Sequence, residues 1–163
     1  MQNFKIGVLR EEKSPPDKRV PLTPLICSEI TKKYPNVSIV VQPSDIRCYT
    51  NEEYVSFGIT MQEDLSDCDI LMGVKEVPVD KLIPNKKYFF FSHTIKKQPH
   101  NKKLMKGLIA KKIHMIDYET LADKKNNRII GFGRYAGIVG AYNAILGYGL
   151  KYDLFRLKPA HLC

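Results

Sequence analysis

Short apolar, β-branched runs alternate with helix-starting patterns along this chain, and that alternation limits its fold more than any other feature. Phe4 to Leu9, Val37 to Val41, Asp69 to Val74, Tyr88 to Ser92 and Ile113 to Tyr118 each have the length and composition of a strand. Tyr88 to Ser92 is dense enough to be buried on both faces. Helix signals fall between the runs. Thr23 and Pro24 supply a cap and a first-turn proline, with Leu25, Ile26 and Ile30 at inward-facing spacing. Thr50 to Glu53 has the capping-box pattern of a short helix that ends at Gly58. Gln98 and Pro99 open another, on which Leu104, Met105, Leu108 and Ile109 form one apolar face. Arg128 to Phe132 is a further strand candidate, followed by a long apolar helix over Gly133 to Leu150 and a thinly supported tail, Lys151 to Cys163. Strand–helix alternation at this spacing predicts an α/β fold: three layers, with a mostly parallel, doubly wound sheet of flavodoxin-like or Rossmann-like type. Residues 1–132 are expected to form one domain, and residues 133–163 a helix and tail leading out of it.

Composition excludes several function classes. With 163 residues, 44% hydrophobic and 26% charged, the chain reads as a globular domain that can bury its own core. Cys27, Cys48, Cys68 and Cys163 form no CxxC pair and read as reduced thiols of a cytoplasmic protein. The stretch Ile129 to Leu150 is long enough to span a bilayer, but it contains Arg134, Asn143 and six glycines. One arginine in a span costs roughly 2.5–3.5 kcal/mol, so a buried helix is expected and no membrane partner. The net charge of +9 comes mostly from scattered lysine pairs. No zinc-finger, RNP or homeodomain pattern accompanies them, so no nucleic-acid partner is expected.

Open parallel sheets form their sites beyond the carboxyl ends of the strands. That rule ranks Arg10 and Lys13 after the first strand, Lys75 and Glu76 after DILMGV, His93 after YFFFS, and Asp117 and Glu119 after the next strand. A lysine and a histidine ending two apolar strands are placed to converge. Burial would make Lys75 a usable base. Each also has a plain reading: Lys75 as a surface lysine, His93 as a histidine satisfied within its own loop. His100, His114 and His161 have no such setting. There is no GxxxxGK[ST], HExxH or GxSxG. Gly131 to Ala136 fits the loose fingerprint GxGxxA, but no second strand with a terminal acid follows, so no cofactor site and no metal site is expected in this chain.

Several segments resemble one family. IGVLREEKSPPDKRVPLTP is similar to the N-terminal motif of the alanine dehydrogenase and nicotinamide nucleotide transhydrogenase superfamily. GVKEVP, FFFSHTIKKQ and FGRYAGIVGAYNAI narrow the resemblance to lysine-forming saccharopine dehydrogenases and to the lysine–2-oxoglutarate reductase half of the bifunctional lysine-degrading enzyme. QPSDIRCYTNEEY and QEDLSDCDILMGVK favour the latter. The resemblance covers about residues 4 to 150. It implies the N-terminal, substrate-binding domain of a two-domain dehydrogenase, with NAD or NADP held mainly by a second domain that this chain lacks. It also implies a reaction. Saccharopine, a secondary amine joining lysine to 2-oxoglutarate, gives up a hydride to become an imine, and water then splits the imine.

By motif, the family's catalytic lysine falls on Lys75 and its catalytic histidine on His93. Its carboxylate-binding arginine falls on Arg19; arginine suits a carboxylate because its planar fork binds both oxygens. Lys13, Lys96 and Arg128 match other anion-facing positions, with simple surface charge as the plain alternative for Lys96 and Arg128. Glu76 is placed to tune the charge of Lys75. Val77, between Glu76 and Pro78, departs from the Lys-Glu-Pro of alanine dehydrogenases. An alanine dehydrogenase-like oxidoreductase and a non-catalytic amino-acid or oxo-acid binding module remain the alternatives. A homo-oligomer is left open.

Overall fold

The computed structural model describes residues 3–159, which form two compact units, one up to Leu121 and one from Ala122 on. In the first unit six strands make one parallel sheet: β1 (Phe4–Val8), β2 (Val37–Val41), β3 (Thr60–Met61), β4 (Ile70–Lys75), β5 (Lys87–Phe91) and β6 (His114–Asp117). Their order across the sheet is β3-β2-β1-β4-β5-β6. This is the Rossmann order, and the winding reverses between β1 and β4. β3 was not legible in the sequence. It pairs only Thr60 with Val40 and Met61 with Val41, too short a run to leave a periodic signal.

Both faces are covered. On one face Val8, Ile39 and Val41 pack with Cys27 of α1 (Pro24–Lys33) and Tyr54 of α2 (Asn51–Ser56). On the other, Val40, Leu71, Tyr88 and Phe90 pack with Leu104 and Leu108 of α3 (Lys102–Ala110). The switch from Ile39 to Val40 to Val41 is the period-two alternation of a strand.

The helix starts follow the expected chemistry. Thr23 Oγ1 accepts from the Ile26 amide at 3.3 Å, with Pro24 in the first turn. Thr50 and Glu53 form a full capping box, with bonds of 3.2 and 2.6 Å. Gly58, at φ +80°, takes the chain out of α2 through a conformation that a side chain resists. The segment opened by Pro99 begins as a 3-10 turn, Pro99–Asn101, before α3 proper.

Two helix faces differ from expectation. In α1 the stripe turned to the sheet is Pro24, Cys27 and Ser28, while Leu25 and Ile26 are 52% and 39% exposed and Ile30 is half-buried. In α3 the buried residues are Leu104, Gly107 and Leu108, with Met105 and Ile109 exposed. Both helices offer two overlapping apolar stripes one residue apart. In α3, Gly107 lies against Val79, where a Cβ would come within 2.5 Å of Val79 Cγ1, and this close contact favours the stripe that carries Leu104 and Leu108.

The second unit contains α4 (Gly133–Lys151). The strand expected over Arg128 to Phe132 does not form; Arg128 alone makes an antiparallel bridge with Ala122. Asp123 organises the turn between them, accepting from the Lys125 and Asn127 amides at 2.8 Å each. The chain after α4 folds back onto it: the Tyr142 hydroxyl donates to the Lys158 carbonyl at 2.6 Å, and Phe155 lies against Gly149. The early tail is therefore better anchored than its composition suggests. No helix among the described residues is long and apolar enough to cross a membrane. Cys27, Cys48 and Cys68 are free thiols, and burial pushes Cys27 and Cys68 up to about 11. His161 and Cys163 lie outside the described residues.

Candidate functional site

The topology makes β4 and β5 neighbours, so the ends that carry Lys75 and His93 lie side by side. Lys75 is the last residue of β4 and stands opposite Phe91, the last residue of β5. His93 follows two residues later, in the left-handed region at φ 56°. A non-glycine residue there costs of order 1–3 kcal/mol and persists only where its surroundings hold it. The Asn101 side-chain amide donates to the His93 carbonyl at 3.0 Å. The fully buried Ser92 hydroxyl donates to Asp117 and bonds the Thr94 hydroxyl at 2.7 Å. Phe91 stacks on the imidazole, with ring centroids 6.4 Å apart and an interplanar angle of 20°.

Around His93, Nδ1 lies 3.0 Å from a carboxylate oxygen of Glu119, and Lys96 Nζ lies 3.2 Å from the other. The Glu119 side chain is only 7% exposed. Burial pushes its carboxyl up, but the bonds from Lys96 and His93 outweigh this and hold it below the ordinary range. A carboxylate beside a ring nitrogen orients the imidazole and fixes its tautomer. Glu119 was visible in the sequence only as a strand-end acid; its contact with His93 depends on the 3-10 turn Tyr118–Thr120.

Around Lys75 the loop after β1 contributes most of the neighbours. Lys13 pairs with Glu76. Burial raises the Glu76 carboxyl, yet Lys13, its own backbone amide and the charge of His93 leave it below its usual value. The second Glu76 oxygen is buried without a hydrogen-bond partner among the described residues. Arg19 forks onto Asp17, at 2.9 Å from Nε and 2.5 Å from Nη2. The Arg19 bonds hold Asp17 below the carboxylate range, and the charge of Lys75 adds to the effect. Glu11, at the base of this group, accepts from the Val74 and Lys75 amides.

Lys13, Arg19, Lys75, Glu76, His93 and Lys96 thus all belong to the loops and strand ends at the carboxyl edge of the sheet. Arg128 belongs to the second unit. Asp17 and Glu11 were missed: in REEKSPPDKR they look like members of a solvated charge run, and only their partners distinguish them.

The chemistry of the loop after β1 does not fit a dinucleotide. A pyrophosphate there needs glycines and free amides, whereas residues 9–23 contain no glycine and three prolines, Pro15, Pro16 and Pro21. Gly131 to Ala136, the loose fingerprint match, has no strand before it. Among the described residues no group of acids, histidines and cysteines could hold a metal ion.

A family model for the alanine dehydrogenase/PNT N-terminal domain matches residues 7–139. The chain belongs to this family. Within it, the chain is 39% identical over 146 residues to the mitochondrial alpha-aminoadipic semialdehyde synthase of Bos taurus, covering 90% of this chain and 16% of the relative. It is 28% identical over 138 residues to the NAD(+)-dependent, L-lysine-forming saccharopine dehydrogenase of Yarrowia lipolytica, covering 82% of this chain and 37% of the relative. An L-alanine dehydrogenase structure superposes with a TM-score of 0.62 at 18% identity, over 76% of this chain and 35% of that one. That likeness shows the α/β fold of the alanine dehydrogenase/PNT N-terminal domain. The relatives are oxidoreductases of the dehydrogenase type, and the chain spans only a minor part of each.

Proposed function

We propose that this chain is the substrate side of a nicotinamide-dependent oxidoreductase acting on the C–N bond of saccharopine, with Lys75 and His93 as its proton-handling groups. The observation that carries the reading is the adjacency of β4 and β5, which brings Lys75 opposite Phe91 and thus beside the strand end bearing His93, next to a group of cations. Saccharopine carries several carboxylates and one secondary amine. Arg19, Lys13 and Lys96 are suited to the carboxylates, each now held by an acid that a substrate carboxylate would compete with. Such exchange orients the substrate, because a fork or ammonium that leaves Asp17, Glu76 or Glu119 keeps its charge paired. Lys75 and His93 then share two tasks: taking the proton of the amine nitrogen, and moving the protons of the water that opens the C–N bond. Two groups in different environments suit such a division. Arg128 is a further anion-binding candidate from the second unit.

The nicotinamide, NAD or NADP, would supply the hydride acceptor when bound, held by residues other than those of the site described above. The alanine dehydrogenase-like reading uses the same lysine and histidine but needs only one carboxylate contact. The cations near the site, several more than one carboxylate requires, support the larger substrate.

A polypeptide joining these residues to a nicotinamide-binding domain is expected to oxidise NADH or NADPH with lysine plus 2-oxoglutarate, and not with pyruvate plus ammonia. Activity on pyruvate alone would overturn the proposal.

A further inference from the structure

The ladder between β4 and β5 is irregular where it matters most. Ile70, Leu71 and Met72 stand opposite Lys87, Tyr88 and Phe89, and the next recorded pair is Lys75 with Phe91. Three steps on β4 therefore match two on β5, which is a bulge. In a regular ladder Val74 would face Phe91, and Lys75 would face Ser92. Side chains alternate between the two sides of a sheet, so a shift of one residue changes the side on which Lys75 leaves the strand. The bulge presents Lys75 at the level of Phe91, the ring on which His93 stacks.

A bulge removes ladder partners from the strand that carries the extra residue. Here the amides of Val74 and Lys75 donate to the two oxygens of Glu11, at 2.6 and 2.9 Å. Glu11 is 9% exposed. Burying a carboxylate is costly unless it is bonded, and so is burying an unpaired amide. Here the carboxylate and the two amides each supply the other's bonding partner. A Cβ at Gly73 would lie 3.4 Å from Glu11 Oε1, in ordinary van der Waals contact, so the carboxylate packs directly against the strand. Burial pushes the Glu11 carboxyl above its ordinary range, and the two amides oppose that shift in part.

We infer that Glu11 is a positioning residue for Lys75: its carboxylate takes the place of the missing ladder partners and so fixes the direction in which the lysine side chain leaves β4. The inference rests on the reading of Lys75 under Proposed function for its consequence, though not for its geometry. Glu11 itself touches no reacting atom.

Two measurements test it. In the 163-residue chain, E11A should accelerate amide hydrogen exchange at Val74 and Lys75 at least ~10-fold relative to Leu71 and Met72. E11Q, which keeps one acceptor oxygen, should release only one of the two amides, and it provides the same comparison if E11A does not fold. Unchanged exchange at both amides overturns the inference. The second measurement is a double-mutant cycle, read as saccharopine affinity by calorimetry for the wild type, E11Q, K75M and E11Q/K75M. E11Q should weaken binding at least ~10-fold in the wild-type background and no further in the K75M background. A merely structural role would cost the same in both, and that result also overturns the inference. If the wild type binds no saccharopine, or K75M binds it as the wild type does, the functional reading of Lys75 falls, and the exchange rates alone decide the role of Glu11.

Discussion

Replacing Lys75 by Met, in a polypeptide that joins these residues to a nicotinamide-binding domain, is expected to lower saccharopine turnover by ~10²–10⁴-fold, the range for loss of a positioned acid–base group. Folding should be little affected. The Lys75 backbone keeps its bond to Glu11 and its pairing with Phe91 whatever the side chain, and methionine retains most of the apolar stem. Turnover within a few-fold of the wild type, with normal folding, would remove Lys75 from the proton-handling step. Near-normal Tm with lost turnover is the expected combination.

The second large effect concerns the frame. Tyr54 is fully buried in the core under α1 and α2, and its hydroxyl donates to the Leu22 carbonyl at 2.7 Å. The Arg47 guanidinium lies 4.5 Å from its ring centroid, and Tyr49 packs edge-on at 6.5 Å. Removing a buried aromatic side chain costs about 3–5 kcal/mol, against a total stability of about 5–15 kcal/mol for a domain. Tyr54→Ala should therefore shift the urea midpoint far down or leave the chain unfolded. Tyr54→Phe keeps the ring and leaves the Leu22 carbonyl without this donor, for a loss of about 1–3 kcal/mol. Equal midpoints for Tyr54→Ala and the wild type would show that this core does not carry the fold.

Much of this fold was legible in the sequence because five of its six strands fall on short apolar runs set apart by turn and helix-start signals. β3 was not, since two residues have no period. The faces of α1 and α3 were legible only in part, because apolar spacing cannot choose between adjacent stripes: Leu104 and Leu108 are buried as expected and Ile30 packs against the core, whereas Leu25, Ile26, Met105 and Ile109 are exposed. At the site, Lys75 and His93 were legible from strand-end placement and from motif. Of their supporting acids, Glu119 was legible only as a strand-end acid, and Glu11 and Asp17 were not legible. Glu11 matters because of a bulge, Asp17 because Arg19 bends back two residues onto it, and Glu119 because a 3-10 turn brings it to His93. The Glu11 contact joins residues more than sixty positions apart, and the local ones depend on backbone turns that leave no apolar period in the sequence.

The most direct test of the site is chemical-shift mapping of the isotope-labelled chain during a saccharopine titration. The account predicts saturable shifts centred on Arg19, Lys75, Glu76 and His93, with Val74 following Lys75. Saturable binding that leaves those residues unmoved and perturbs another surface would contradict it.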